Sequence, residues 1–181
     1  MEALGMVELN SISRGIYAAD AILKAANVQI VASKPTCPGK YVVIVSGGVA
    51  DVKASIEAGA EAAGENLLDK MIIPRVHEEV ISAMNGCVDL EGVEALGVIE
   101  TFSLAQALLS ADAAVKAAEV HLMEIRLGSG LGGKSFILLT GTVSAARAAV
   151  AAGMQERGED GMLVSSVVIP APHPELADAL Q

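Results

Sequence analysis

Basic residues are scarce in this sequence, cysteine is scarcer, and no apolar run is long enough to cross a bilayer. Lysine and arginine together number 12 against 22 aspartates and glutamates, a net charge of -10. The basic residues are dispersed, which argues against nucleic acid or an anionic membrane as the main partner. Two cysteines, Cys37 and Cys87, are too few for a disulfide scaffold or for a four-cysteine metal site within one chain. Any metal cluster therefore has to draw on several chains. The apolar runs, such as YVVIVSGG, are much shorter than a membrane span, and the N-terminal MEALGMVEL has neither the basic region nor the long apolar core of a secretory signal. The chain reads as cytoplasmic. Aromatics make up only 2%, yet 52% of the 181 residues are hydrophobic, enough to exclude disorder and to build one or two small domains.

What is present is a repeat. LGMVELNSISRGIYAADAILKAANV (residues 4–28) aligns with LGVIETFSLAQALLSADAAVKAAEV (residues 96–120) at a shift of 92, with 11 of 25 positions identical. Further along, the shift becomes 94, pairing Lys40 with Lys134 and Gly47 with Gly141; near the end it is 96, pairing Pro74 with Pro170 and His77 with His173. The chain is a tandem duplication with two small loop insertions.

Within one copy, LGMVEL is an apolar strand, and SISRGIYAADAILKAAN has helical spacing of Ile16, Ala19, Ile22, Leu23 and Ala26 behind a serine suited to the N-cap. VQIVASK and YVVIVSG are β-branched runs on either side of a Pro/Gly loop, hence a pair of strands. VADVKASIEAGAEAAGE is an amphipathic helix, LLDKMIIP a strand and RVHEEVISAM a short terminal helix. The order is β-α-β-β-α-β, a ferredoxin-like α/β (α+β) layout written twice. The expected domains are residues 1–90 and 91–181, joined by the short link NGCVDLEGVEA. A sheet covered by helices on one side buries little, so such domains gain by packing together.

GSGLGGKS, residues 128–135, satisfies two phosphate-binding patterns, G-x-x-x-x-G-K-[ST] and G-x-G-x-x-G. Both need a helix next, because its N-terminal amides and dipole hold the phosphates. The next residues, SFILLTG, read as a strand, and the first copy has KPTCPGK in the same place. The stretch is a strand connector, and a nucleotide-binding enzyme is disfavoured.

The repeat, the segment LGMVEL…AADAILKAANV, the GSG loop and VIPAPHPEL together resemble the bacterial microcompartment (BMC) shell-domain family over nearly the whole chain, twice. Two domains in unpermuted order resemble its tandem-domain class, which implies a homotrimer forming a pseudohexameric tile. SKPTCPGKY resembles the loop of a propanediol-utilisation type, which implies one 4Fe-4S cluster per trimer at the central pore, held by Cys37 from each subunit. By the same resemblance Pro35, Thr36, Cys37 and Pro38 in the first copy, and Gly128, Ser129, Gly130 and Leu131 in the second, are pore loops. Lys24, Lys116 and Arg75 are tile-edge contacts toward other, hexameric shell proteins; Ala171 stands where a second arginine would.

The residues themselves leave alternatives open. Without the resemblance, Cys37 reads first as a lone buried or idle loop cysteine, since free cysteine is usually inert. Cys87 reads as structural, His77 and His173 as caps or packing residues, and Lys24 and Lys116 as ordinary solvated helix lysines. The expected function is a structural shell subunit, not an enzyme, whose cluster passes electrons across the shell or is exchanged with encapsulated redox enzymes. The rivals are a metal-free tile with a metabolite-conducting pore and a trimeric ligand sensor.

Overall fold

The computed structural model describes residues 2–86, 88, 92–156 and 162–180. The first copy folds as β1 (Ala3–Leu9), α1 (Ile12–Ala25), β2 (Val28–Thr36), β3 (Lys40–Gly47), α2 (Val49–Ala63), a single 3-10 turn (Gly64–Asn66), β4 (Leu67–Ile73) and α3 (Glu78–Met84). The second continues as β5 (Ala95–Thr101), α4 (Leu104–Ala117), β6 (Val120–Leu127), β7 (Ser135–Gly141), α5 (Val143–Gln155), β8 (Leu163–Ile169) and α6 (Pro174–Ala179). This is the expected order in both copies. Each makes one antiparallel four-stranded sheet, β2-β3-β1-β4 and β6-β7-β5-β8.

The two copies share their irregularities as well as their regular parts. The register of β1 against β4 shifts between Glu8 and Leu9, and that of β5 against β8 between the matching Glu100 and Thr101. The serine N-caps also recur: Ser11 Oγ accepts from the Arg14 amide and Ser103 Oγ from the Gln106 amide, satisfying amides that the first helical turn leaves unpaired. Glycine at one site in each sheet lets a helix sit close. A Cβ at Gly5 would lie 2.5 Å from Ile56 Cγ1, and one at Gly97 would lie 2.5 Å from Leu139 Cδ1 and 2.9 Å from Val150 Cγ2.

The chain divides into two compact units, Met1–Val76 and His77–Gln181. The division falls ahead of α3, so the helix that ends the first copy in sequence belongs in space to the second unit. There it packs on β6 and α4 and buries Val80 and Ala83. In the first unit the core is Val7, Leu9, Ile22, Val43, Val45 and Ile56 with their neighbours.

Helical spacing in α1 overstates its buried face. Ala19 and Ile22 are buried with Gly15 and Ala18, but Ile16 and Leu23 are exposed, together with Ile12 and Tyr17. The sheet and α2 can cover only one stripe of the helix, and its apolar residues extend beyond that stripe. Among the described residues no helix is long and apolar enough to cross a membrane.

Gly97→Ala is expected to overpack the interface of β5 with α5, since Leu139 and Val150 are already in the way. The expected loss is about 1–3 kcal/mol, read as a lower Tm in calorimetry.

Candidate functional site: the two hairpin connectors

The chemistry singled out in the sequence lies where strands two and three of each sheet turn back. In the first unit β2 runs through Pro35 and Thr36, which pair with Tyr41 and Lys40, leaving only residues 37–39 as the turn. Cys37 is therefore at the tip, unpaired and half-exposed, joined to Pro38 by a cis peptide bond. Gly39 closes the turn at φ 71°, a left-handed conformation that suits glycine. At the preceding position, Thr36 Oγ1 is buried and has no hydrogen-bond partner among the described residues.

The second connector, residues 128–134, is longer and has no thiol. Gly128, Gly130, Gly132 and Gly133 all have positive φ, between 61° and 91°, which explains why this turn is written in glycine. Its ends are tied to each other: Gly128 N donates to Lys134 O at 3.2 Å and Lys134 N to Leu131 O at 3.1 Å. The chain then enters β7, a strand. A phosphate would meet no helix N-terminus here, because the loop runs into a strand, and the nucleotide reading fails on geometry.

Lys134 is also occupied. Its Nζ donates to Glu100 Oε1 at 2.8 Å, while Ser165 Oγ donates to Glu100 Oε2 at 3.1 Å. The hydrogen bonds from Lys134 and Ser165 hold the Glu100 carboxyl below its ordinary range, outweighing the opposing effect of burial. The first unit repeats the pair, with Lys40 Nζ 3.0 Å from the buried Glu8 Oε1. Each hairpin is thus pinned at its base to the first strand of its sheet by one lysine and one glutamate. Comparing the two copies aligns the lysines but does not reveal their partners. The signal for them is the glutamate shared by LGMVEL and LGVIET. Next to the second pair, Val98, Phe136, Val167 and Leu131 line a cavity of about 310 Å³ on the open side of the sheet.

The remaining candidates lie away from the hairpin tips. Lys24 is solvated and pairs with Asp20 at 2.6 Å; Lys116 pairs with Asp112 at 2.6 Å, and that aspartate is nearly buried because its other oxygen accepts from the His77 amide at 2.9 Å. Arg75 is exposed at the turn after β4 with φ 57°. His77 and His173 are N-caps: each Nδ1 accepts from the amide two residues on, Glu79 or Glu175. His121 on β6 pairs with Glu79 of α3 at 3.2 Å. Cys87 lies outside the described residues. Among the described residues no three metal-ligating side chains meet within the chain, so Cys37 could serve a cluster only jointly with other copies.

A duplicated β-α-β-β-α-β unit with a terminal helix in each copy makes this a tandem-domain protein. The profile of the BMC domain matches residues 3–76 and 95–172, and the chain belongs to that family of bacterial microcompartment shell proteins. Among its relatives is the bacterial microcompartment shell protein PduT of Citrobacter freundii, 40% identical over 172 residues, 95% of this chain and 94% of that one. The shell protein PduA of the same organism is 46% identical over 82 residues, 44% of this chain and 87% of PduA, so it matches a single copy. The crystal structure of a microcompartment protein from Desulfitobacterium hafniense DCB agrees with a TM-score of 0.93 at 51% identity, covering 97% of this chain and 98% of that chain. Proteins of this family are structural components of the shell, and that is the role and place of this chain.

Because Glu100 is held low, the ion pair contributes stability above the ordinary carboxylate range. That contribution is lost as pH falls through the lowered value. Lys134→Met should raise the Glu100 pKa toward its ordinary value, as followed by carboxyl NMR titration, and should reduce the acid sensitivity of unfolding.

Proposed function

We propose that this shell protein works as a homotrimer, a pseudohexameric tile whose three Cys37 thiolates together hold one 4Fe-4S cluster at a central pore. The observation that carries the reading is the position of Cys37: a free thiol at the tip of a three-residue turn, offered to whatever lies beyond the hairpin. Thiolate is the ligand such clusters take, and on a threefold axis one cysteine per chain becomes three. When bound, the cluster would supply one-electron chemistry for transfer across the shell, or would itself be exchanged with encapsulated redox enzymes. The likeness to PduT over 95% of the chain supports the reading.

The glycine connector of the second unit lines the same pore from the alternate positions, where its lack of side chains lets backbones approach closely. At the tile edge, Lys24 and Arg75 reach neighbouring hexameric shell proteins of the PduA kind, and Lys116 does so at the second unit's edge. The two edges are unequal, since Ala171 stands opposite Arg75 in the repeat.

The test is anaerobic reconstitution with iron and sulfide. The protein should develop a broad absorption near roughly 400 nm at about one cluster per three chains, and Cys37→Ser should abolish it. A colourless protein, or colour that survives the substitution, would remove the cluster and leave an open-pored tile.

A further inference from the structure

The open side of the second sheet holds a cavity that the shell role and the Cys37 turn leave unused. Gly97 faces α5, where a Cβ would lie 2.9 Å from Val150 Cγ2, so the alternate residues Val98 and Glu100 face the other way. Register sets Val98 beside Val167, and Glu100 between Phe136 and Ser165. With Leu131 and Lys134 these residues surround about 310 Å³. Val98, Leu131, Phe136 and Val167 make apolar walls, while Lys134, Glu100 and Ser165 form a single bonded cluster. A mostly apolar hollow of this size with a few fixed polar groups has the composition of a small-molecule site.

The duplication shows that the two copies diverged at this place while keeping its lysine and glutamate. At the shift of 92 Val98 replaces Met6, and at the shift of 96 Val167 replaces Met71. Met6 is 0% and Met71 3% exposed, whereas Val167 is 50% exposed. The second copy has shorter side chains where the first has long ones. It has also gained aromatic surface. The only two phenylalanines of the chain are here, Phe136 in place of Val42 and Phe102 in place of Asn10, and Lys134 Nζ lies 5.7 Å from the centre of the Phe102 ring.

The polar cluster sets the class of ligand. Lys134 and Glu100 neutralise each other, so the cavity offers an ion no net charge to offset the loss of its water. Both Glu100 oxygens already accept hydrogen bonds. The lysine ammonium has three N–H groups, and only one is spent on Glu100. What the site has to spare is therefore a hydrogen-bond donor beside apolar walls. At roughly 30 Å³ per water-sized unit, its volume takes about ten non-hydrogen atoms.

We infer that this cavity binds a small uncharged organic molecule, apolar in body and carrying one hydrogen-bond-accepting oxygen, such as an alcohol, ketone or ester. The oxygen accepts from Lys134, and the body lies against Phe136, Val98 and Val167. The site belongs to the second unit and needs no cluster at Cys37.

The test is methyl NMR on the full chain in its solution assembly, labelled at valine and leucine, with benzyl alcohol as the probe and benzoate as its charged comparator. Benzyl alcohol is expected to shift the Val98, Leu131 and Val167 methyls saturably, with a dissociation constant on the order of 1 mM. Benzoate should bind about tenfold more weakly. The double variant Val98→Met, Val167→Met carries the residues of the first copy. It should keep its mass and circular dichroism and lose the Leu131 shift. Should it misfold, Val167→Met alone, at the half-exposed position, makes the same comparison. Wild-type methyls that do not respond, as when a neighbouring copy fills the hollow in the assembly, would overturn the site. So would shifts that persist in the folded methionine variants, or benzoate binding as tightly as the alcohol.

Discussion

Helix α3 is made by the first copy of the repeat and buried by the second, and much of the architecture depends on that handover. A four-stranded sheet with two helices on one face has little further surface to bury. A third short helix, capped by His77 and anchored on Asp112 and Leu122, adds burial that the unit receiving it could not supply from its own segment of sequence.

The hairpins show how duplicated sequence diverges in chemistry while its scaffold is retained. Both are tied at the base by a lysine–glutamate pair, Lys40 with Glu8 and Lys134 with Glu100. Above that base one tip became a proline-bounded cysteine turn and the other a run of left-handed glycines. The lysine that makes the second tip look like a phosphate loop is a structural fastener.

Much of this was legible from the residues. The duplication, the β-α-β-β-α-β order, the serine caps and the identity of the hairpin connectors emerge from local periodicity and from comparing one half of the chain with the other. Glu8 and Glu100 were visible in principle, because the duplication writes them at the same place in both copies, but a charge inside an apolar strand announces no partner. The exposure of Ile16 and Leu23 was not visible. Periodicity reports that a helix has an apolar face, and the width of that face says nothing about which neighbour covers it.

By itself the sequence determined the elements, their order and the turn chemistry, since these depend on side-chain alternation, capping hydroxyls and the backbone freedom of glycine, all local properties. Only the tertiary structure decided which unit receives α3, that Lys134 is committed to Glu100, and that two helices of matching apolar pattern, α1 and α4, end with one largely uncovered and one buried. Those outcomes depend on contacts between residues far apart in the chain, such as His77 with Asp112, and the same local pattern is compatible with either result.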